Sequence, residues 1–258
     1  MSLARFVERH EGEERALVLA NRSQPEQLRS MLAGVFQRQT VTVDEAVVES
    51  VPENTVLLLD GAGDIIAQSP LDAVSESLLF TNSDAFTTGS TSLEETDLPD
   101  VITGLDGVTF RLRGYPQSHK EKLLLIAVSR HIERVSWQRD GGTHRASFQK
   151  LSRIIDERGT ARVYRRLAQS GADTYVYGVA SDDERGPADL GVTVHSGESR
   201  EYRDSWFVIH RPQGAEQASG PDPLALLAIQ DETGVWDGFF TSDPAEALAI
   251  DDYVREEL

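Results

Sequence analysis

The sequence predicts an α/β fold of two lobes, each a mixed sheet flanked by helices, with a long amphipathic helix joining them. Three observations carry this reading. Short apolar runs, RALVLA at 15–20, TVLLLD at 55–60 and LALLAIQ at 224–230, have strand length and end in turn residues. Between such runs lie segments whose apolar residues recur at three-four spacing, as in helices packed on a sheet. Finally, the longest helical span, 118–138, sets Leu124, Leu125, Val128, His131, Ile132 and Val135 along one stripe.

Taken in order, residues 2–10 form a short helix behind Ser2, and 15–20 a buried strand. Pro25 and Glu26 open a helix with Leu28, Met31, Leu32 and Val35 on one face. The span 39–51 is ambiguous and is read as a strand followed by a short helix. The strand at 55–60, the turn Gly61-Ala62-Gly63-Asp64 and a return strand at 65–69 make a hairpin. A helix follows from Pro70 and Asp72. Residues 81–97, rich in Ser, Thr, Asp and Gly, read as a loop, 98–105 as a helical turn and 108–113 as a half-exposed strand. Gly114-Tyr115-Pro116 breaks the pattern, so the domain boundary is placed there, giving lobes 1–114 and 115–258.

Beyond the long helix come a strand at 146–148, a loop or short turn to Glu157, an amphipathic helix at 159–169 and a strand at 173–179. An acidic loop at 181–189 leads to strands at 191–195 and 205–211 with a polar connection between them. After a Gly- and Pro-rich loop, the clearest stretch begins. The strand 224–230, the turn at 231–234 and the strand 235–241 form a hairpin. Ser242 or Asp243 then caps a helix with Pro244 in its first turn. The order strand, helix, strand, hairpin, helix at 15–79 echoes that at 144–253.

Composition narrows the function. The 258 residues carry a formal charge of −18. An acidic surface argues against sequence-independent binding to nucleic acid or anionic lipid. Scarce lysine beside abundant Asp and Glu fits a salt-rich cytoplasm, where ions screen self-repulsion. The absence of cysteine excludes disulfides and thiol chemistry. The longest apolar run, 123–128, is far below the ~20 residues that span a bilayer, and no signal-peptide core opens the chain. A cytoplasmic protein is expected.

Several residues carry a resemblance. Phe148-Gln149, the basic helix step Tyr164-Arg165-Arg166, the strand Tyr175-Val176-Tyr177, Trp206-Phe207-Val208 and the close Gly238-Phe239-Phe240-Thr241 with Asp243 together resemble the DICT domain, over roughly 118–258. The resemblance implies a sensory domain of the kind found with diguanylate cyclases and two-component proteins, with no established catalytic residue to carry over.

The candidate chemistry is sparse. Arg158, Arg162, Arg165 and Arg166 share one helix face, opposite Val163, Tyr164 and Leu167, with Arg145, Lys150 and Arg153 nearby in sequence. These four arginines and Gln149 are the candidate ligand- or partner-binding residues, since guanidinium groups suit phosphate or carboxylate. A solvated face paired with local acids is the plainer alternative. His131 lies on the apolar stripe, with no following Pro and no Gly-rich ATP lid downstream, so it reads as a packed histidine rather than a phospho-acceptor. His195 and His210, with His144 nearby and Asp182 and Asp183 in a loop, match no metal motif. The 60–64 turn lacks the lysine and helix of a phosphate loop. Ser83, Ser90 and Ser92 lack the hydrolase elbow. Trp137, Trp206, Trp236, Phe239, Tyr175 and Tyr177 read as core, which the sequence does not separate from the lining of a ligand cavity.

The expectation is a non-enzymatic regulatory protein without cofactor or metal. It would bind a ligand or partner and signal through another protein, with a homodimer along the 118–138 stripe as its assembly. The rival is an enzyme or binding protein for a nucleotide or phosphorylated metabolite, using the arginine face with Glu157 as the adjacent base.

Overall fold

The computed structural model describes residues 2–36, 39–80, 98–113, 119–139, 141–180, 187–217, 219–231 and 234–258. The loop read at 81–97 with its three serines, the Gly114-Tyr115-Pro116 breaker, Asp182 and Asp183, and the turn residues Glu232 and Thr233 lie outside them. The fold is α/β, with two mixed sheets flanked by helices.

The first sheet has the order β2-β1-β3-β4, from β1 (Arg15–Ala20), β2 (Val41–Ala46), β3 (Thr55–Leu59) and β4 (Ile65–Pro70). Helix α1 (Leu3–Arg9) precedes it. Helix α2 (Glu26–Phe36) carries the crossover that makes β1 and β2 parallel, whereas β3 runs antiparallel to both β1 and β4. Leu17, Leu19, Val56 and Leu58 alternate onto the covered face, with Leu32, Val35 and Phe36 of α2 in the same cluster. After β4 follow α3 (Leu71–Phe80) and α4 (Asp100–Thr103).

The second sheet has the order β5-β11-β10-β9-β6-β7-β8. Its strands are β5 (Thr109–Arg113), β6 (Thr143–Lys150), β7 (Asp173–Val179), β8 (Thr193–Ser196), β9 (Ser205–Arg211), β10 (Leu224–Gln230) and β11 (Val235–Thr241). Between β6 and β7 lie α6 (Ser152–Asp156) and α7 (Arg158–Ala168), and between β8 and β9 lies α8 (Arg200–Asp204). Strand β5, on the N-terminal side of the breaker, pairs antiparallel with β11 near the C-terminus.

Helix α5 (His119–Gln138) packs against α2 and α3 on one side and against β9 and β10 on the other. It is therefore buried on more than one face. Leu125, Ala127, Ser129, Arg130, Ile132, Glu133 and Ser136 are all nearly inaccessible, whereas His131 is only half-buried. The stripe offered for dimerisation is covered inside the chain over its described side chains. A single apolar cluster runs from Leu17 and Leu58 of the first sheet through Leu125 and Ile132 of α5 to Ala146, Val176 and Leu226 of the second. The opposite face of the second sheet has its own core. There Phe207, Leu227 and Phe239 meet Ile250 and Val254 of α9 (Pro244–Glu257) and Leu3 and Phe6 of α1.

Some local readings change. No helix forms in the second half of 39–51. The Asn21 side chain holds that segment as a loop instead, bonding Val48 N (2.9 Å), Val48 O and Val51 O (both 2.8 Å). The links read as a short turn before Glu157 and as a polar connection before β9 contain α6 and α8. Both are five residues long, too short to show a periodic pattern. The C-terminal helix starts as read: Asp243 accepts from Glu246 N (2.8 Å) with Pro244 at the first position.

Candidate functional site

Strand β6 sends alternate side chains to opposite faces of the second sheet, and this alternation separates Arg145 from the basic residues that lie near it in sequence. Arg145 goes to the far face. Its Nε donates to Asp251 of α9 (2.7 Å), one terminal nitrogen donates to the Tyr177 hydroxyl (3.1 Å), and the guanidinium covers the Tyr175 ring at 4.5 Å. Arg211 donates to the other Asp251 oxygen (2.9 Å). Arg145 is thus a buried structural cation and belongs to no surface patch with the α7 arginines.

The near face carries the chemistry. A cavity of about 220 Å³ opens between α5, the β6–β9 edge of the sheet and the first turns of α6 and α7. Ala146, Phe148 and Gln149 line it from β6, Trp206 and Val208 from β9, and Thr160 and Tyr164 from α7. Helix α5 contributes Ser129, Arg130 and Glu133. Arg153 and Glu157 line it as well, and both are exposed. Register slips between Ser147 and Lys150, and there Gln149 takes a positive φ of 48°. That bulge leaves the Gln149 amide free to donate to Ser205 O (2.8 Å) while its carbonyl accepts from Arg153.

A chain of hydrogen bonds runs along the cavity wall. Arg130 donates to Glu133 (2.6 Å) and to the Thr160 hydroxyl (2.8 Å), which donates to Glu157 (2.9 Å). Tyr164 donates to the other Glu133 oxygen (3.0 Å), and Nε2 of His144 lies 3.4 Å from the Tyr164 hydroxyl. Burial raises the Glu133 carboxyl above its usual range, against the pull of Arg130, and burial also raises the Tyr164 phenol. His144 sits opposite His210 across the β6–β9 ladder. Burial lowers their pKa values to about 3 and about 4, so both imidazoles are neutral at pH 7.

Glu133 has a donor on each oxygen, which makes it a structural anchor rather than a free base. Ser129 is different. Its hydroxyl is buried and has no hydrogen-bond partner among the described residues, although Ser129 lines the cavity. A buried polar group without a partner marks a place where something else can bond.

The five predicted residues separate. Gln149 lines the cavity. Arg158, Arg162 and Arg165 are exposed on the outer side of α7, and Arg166 is half-buried with its guanidinium 5.7 Å over the Trp137 ring. None of the four arginines lines the cavity, but Thr160 and Tyr164 of the same helix do. Val163, Tyr164 and Leu167 form the buried face. Arg130 and Glu133 were missed, because charged residues in an amphipathic pattern read as the wet face. Their signal was the three-residue spacing, which puts opposite charges on one side of a helix beside Ser129 and Ile132.

His195 and His210 do not face each other. His195 stacks on Tyr177 instead (4.7 Å), and His210 faces His144. Among the described residues, no group of three or more His, Asp or Glu is placed to hold a metal. A wider, more open depression of about 600 Å³ lies between α1, α8 and the β10–β11 turn, lined by Glu8, Glu201, Asp204 and Asp237 among others.

No curated protein and no solved structure matches the chain. Residues 102–219 match the DICT family, described as a sensory domain in diguanylate cyclases and two-component systems. The match begins before the 118–258 span read from the sequence and ends short of the C-terminal hairpin. Every residue lining the 220 Å³ cavity, from Ile126 to Val208, falls within it, whereas much of the wider depression lies outside. The stretch that builds the cavity is therefore the one that is similar to the DICT sensory-domain family.

Proposed function

We propose that the protein is a cytoplasmic, non-enzymatic sensory module that holds a small molecule in the α5–β6–β9 cavity and reports its occupancy to a partner signalling protein, as in a two-component pathway. The supporting observation is the cavity itself, enclosed within the family-matched stretch and lined by a buried hydroxyl without a partner. Two facts favour sensing over catalysis. Glu133 is saturated by Arg130 and Tyr164, and the Ser129 hydroxyl bonds to no base. Among the described residues no helix is long and apolar enough to cross a membrane.

The route outward runs along α7, which sets Thr160 and Tyr164 on the cavity and Arg158, Arg162 and Arg165 on the surface. Movement at the cavity thus re-aims a basic face that suits an acidic partner surface. Charge-assisted hydrogen bonds contribute roughly 1.5–3 kcal/mol each, so Arg162→Ala with Arg165→Ala weakens partner capture about hundredfold or more. The fold survives, because Val163, Tyr164 and Leu167 are untouched. Circular dichroism and affinity capture at native salt check both points, and a folded double variant that keeps its partners removes the arginine face from the reading.

The cavity is tested separately. Native mass spectrometry of the protein, gently purified from its own cytoplasm, is expected to show a small-molecule adduct that Ala146→Leu abolishes. An adduct-free wild type, or one whose adduct survives in Ala146→Leu, removes the cavity from the reading.

A further inference from the structure

The chemistry of the lining identifies the class of molecule. We infer that the cavity takes a small, uncharged aromatic heterocycle with a hydrogen-bonding group, an inference that rests on the cavity being the ligand site.

Size sets the first limit. At roughly 30 Å³ per water, 220 Å³ holds about seven waters, which corresponds to one or two fused rings. A nucleoside phosphate exceeds that volume and would extend out of the cavity. Charge sets the second limit. Two arginines and two glutamates line the space, so the wall has no net charge. The buried pair is already matched internally: Arg130 spends a terminal nitrogen on each of Glu133 and Thr160, and Glu133 is bonded on both oxygens. The other two, Arg153 and Glu157, are exposed and engaged with Gln149 and Thr160. An ion entering this space loses its water and meets no unpaired countercharge in the buried wall, which is costly.

The walls supply the third limit. Phe148 and Tyr164 meet edge-to-face at 5.1 Å, and Trp206 lines the same space from the neighbouring strand. Phe148 and Trp206 are only half-buried despite their size, so ring surface is left for a flat guest. The Ser129 hydroxyl, buried and unbonded, is one group both able to donate and to accept. A flat molecule with a ring N–H or ring nitrogen satisfies that group and covers the aromatic surface together.

The test uses the full chain and four probes of similar size at pH 7.5: indole, benzimidazole, indole-3-carboxylate as the anion and tryptamine as the cation. Phenyl phosphate is the phosphate arm. Binding is followed by NMR titration, with backbone amide shifts of 129–133 and 146–149 locating the site without recourse to any variant. Indole and benzimidazole are expected to saturate at millimolar concentration or below and to shift those amides, with the charged probes at least tenfold weaker. Ser129→Ala is expected to weaken indole about fivefold, the loss of one hydrogen bond. Charged probes that shift these amides as tightly as indole overturn the assignment of class and leave the cavity standing as a site. If none of the probes shifts them and the native adduct is also absent, the class and the site fail together.

Discussion

The two sheets share a plan and differ in what they bury. In the first, β2-β1-β3-β4 pair parallel, antiparallel, antiparallel; in the second, β7-β6-β9-β10 pair in the same sequence of senses. Three hydrogen bonds among the described residues close a hairpin in each. Asp60 N donates to Asp64 O, Gly63 N to Asp60 O and Asp64 N to Asp60 Oδ1; Asp231, Gly234 and Val235 repeat all three bonds. The second sheet adds β5 and β11 on one edge and β8 on the other, and a core covers each of its faces. With both faces covered, it is the sheet that buries charge: Arg130–Glu133 on the cavity side and Arg145–Asp251 on the other. A common frame thus supports one sheet that is mainly scaffold and one that encloses a polar site.

The largest effect expected from breaking this difference is at Asp251, which is 1% exposed. Asp251→Ala leaves Arg145 and the inner side of Arg211 without their shared carboxylate. Losing one partner of a buried pair costs about 3–5 kcal/mol. The same change at exposed Asp44 of β2 is expected to stay within about 0.5 kcal/mol. Urea denaturation of both variants gives the comparison, and equal costs would mean that the buried network contributes nothing particular.

How legible this was in the sequence follows from the same contrast. Both hairpins, the α9 cap and the strands 15–20, 55–59 and 224–230 were readable, because turn chemistry and apolar runs are local signals. The cavity was not. It is formed by residues from 126 to 208 brought together by tertiary pairing, and its key charges look like surface on a helix buried on two sides. Gln149 was singled out through a family motif, and its place in the cavity wall depends on a bulge that no pattern announces. The arginines of α7 were placed on the correct face, but Arg145 was misgrouped, because sequence proximity ignores the two sides of a strand.

Acid should act next most strongly, and on the second sheet first. The strands of the four-stranded sheet contain no histidine, whereas His144 and His210 are buried opposite each other. Their folded pKa values lie below the unfolded 6.5, at about 3 and about 4. The unfolded chain therefore binds more protons over this range, and stability is intact above pH 6.5 and falls as pH drops toward 4. The loss is about 3 kcal/mol per histidine by pH 4. Hydrogen exchange at pH 4.5 should show protection falling in β6 and β9 before β1 and β3. His210→Phe should remove about one proton from the slope of stability against pH between 5.5 and 4.5. An unchanged slope would show that His210 titrates normally.

The paired turns offer a smaller and more direct comparison. Gly63 and Gly234 have φ of +88° and +80°, where an added Cβ costs about 1–2 kcal/mol. Gly63→Ala and Gly234→Ala should therefore be destabilising by similar amounts in thermal melts. A large inequality would mean that the shared hydrogen-bond pattern hides different strain.

Salt should produce the smallest local effect and separates surface from buried charge. Beside the first sheet Arg22 bonds to Glu26 and Glu45 at the surface, with Arg29 alongside. Such pairs lie in water, and the Debye length falls from about 10 Å at 0.1 M salt to about 3 Å at 1 M. Glu45→Gln should lower the melting midpoint slightly at 0.1 M KCl and not at all at 2 M. Arg145–Asp251 is shielded from ions by burial, so the deficit of Asp251→Ala should persist across the same range. The whole chain behaves oppositely to the surface pair. With a formal charge of −18 its dominant long-range term is self-repulsion, which added ions relieve. The wild-type midpoint should therefore rise with KCl even as the Glu45 contribution disappears. A flat or falling wild-type midpoint would remove the salt-rich setting inferred from composition, and a Glu45→Gln deficit that survives 2 M KCl would place that pair with the buried network of the second sheet.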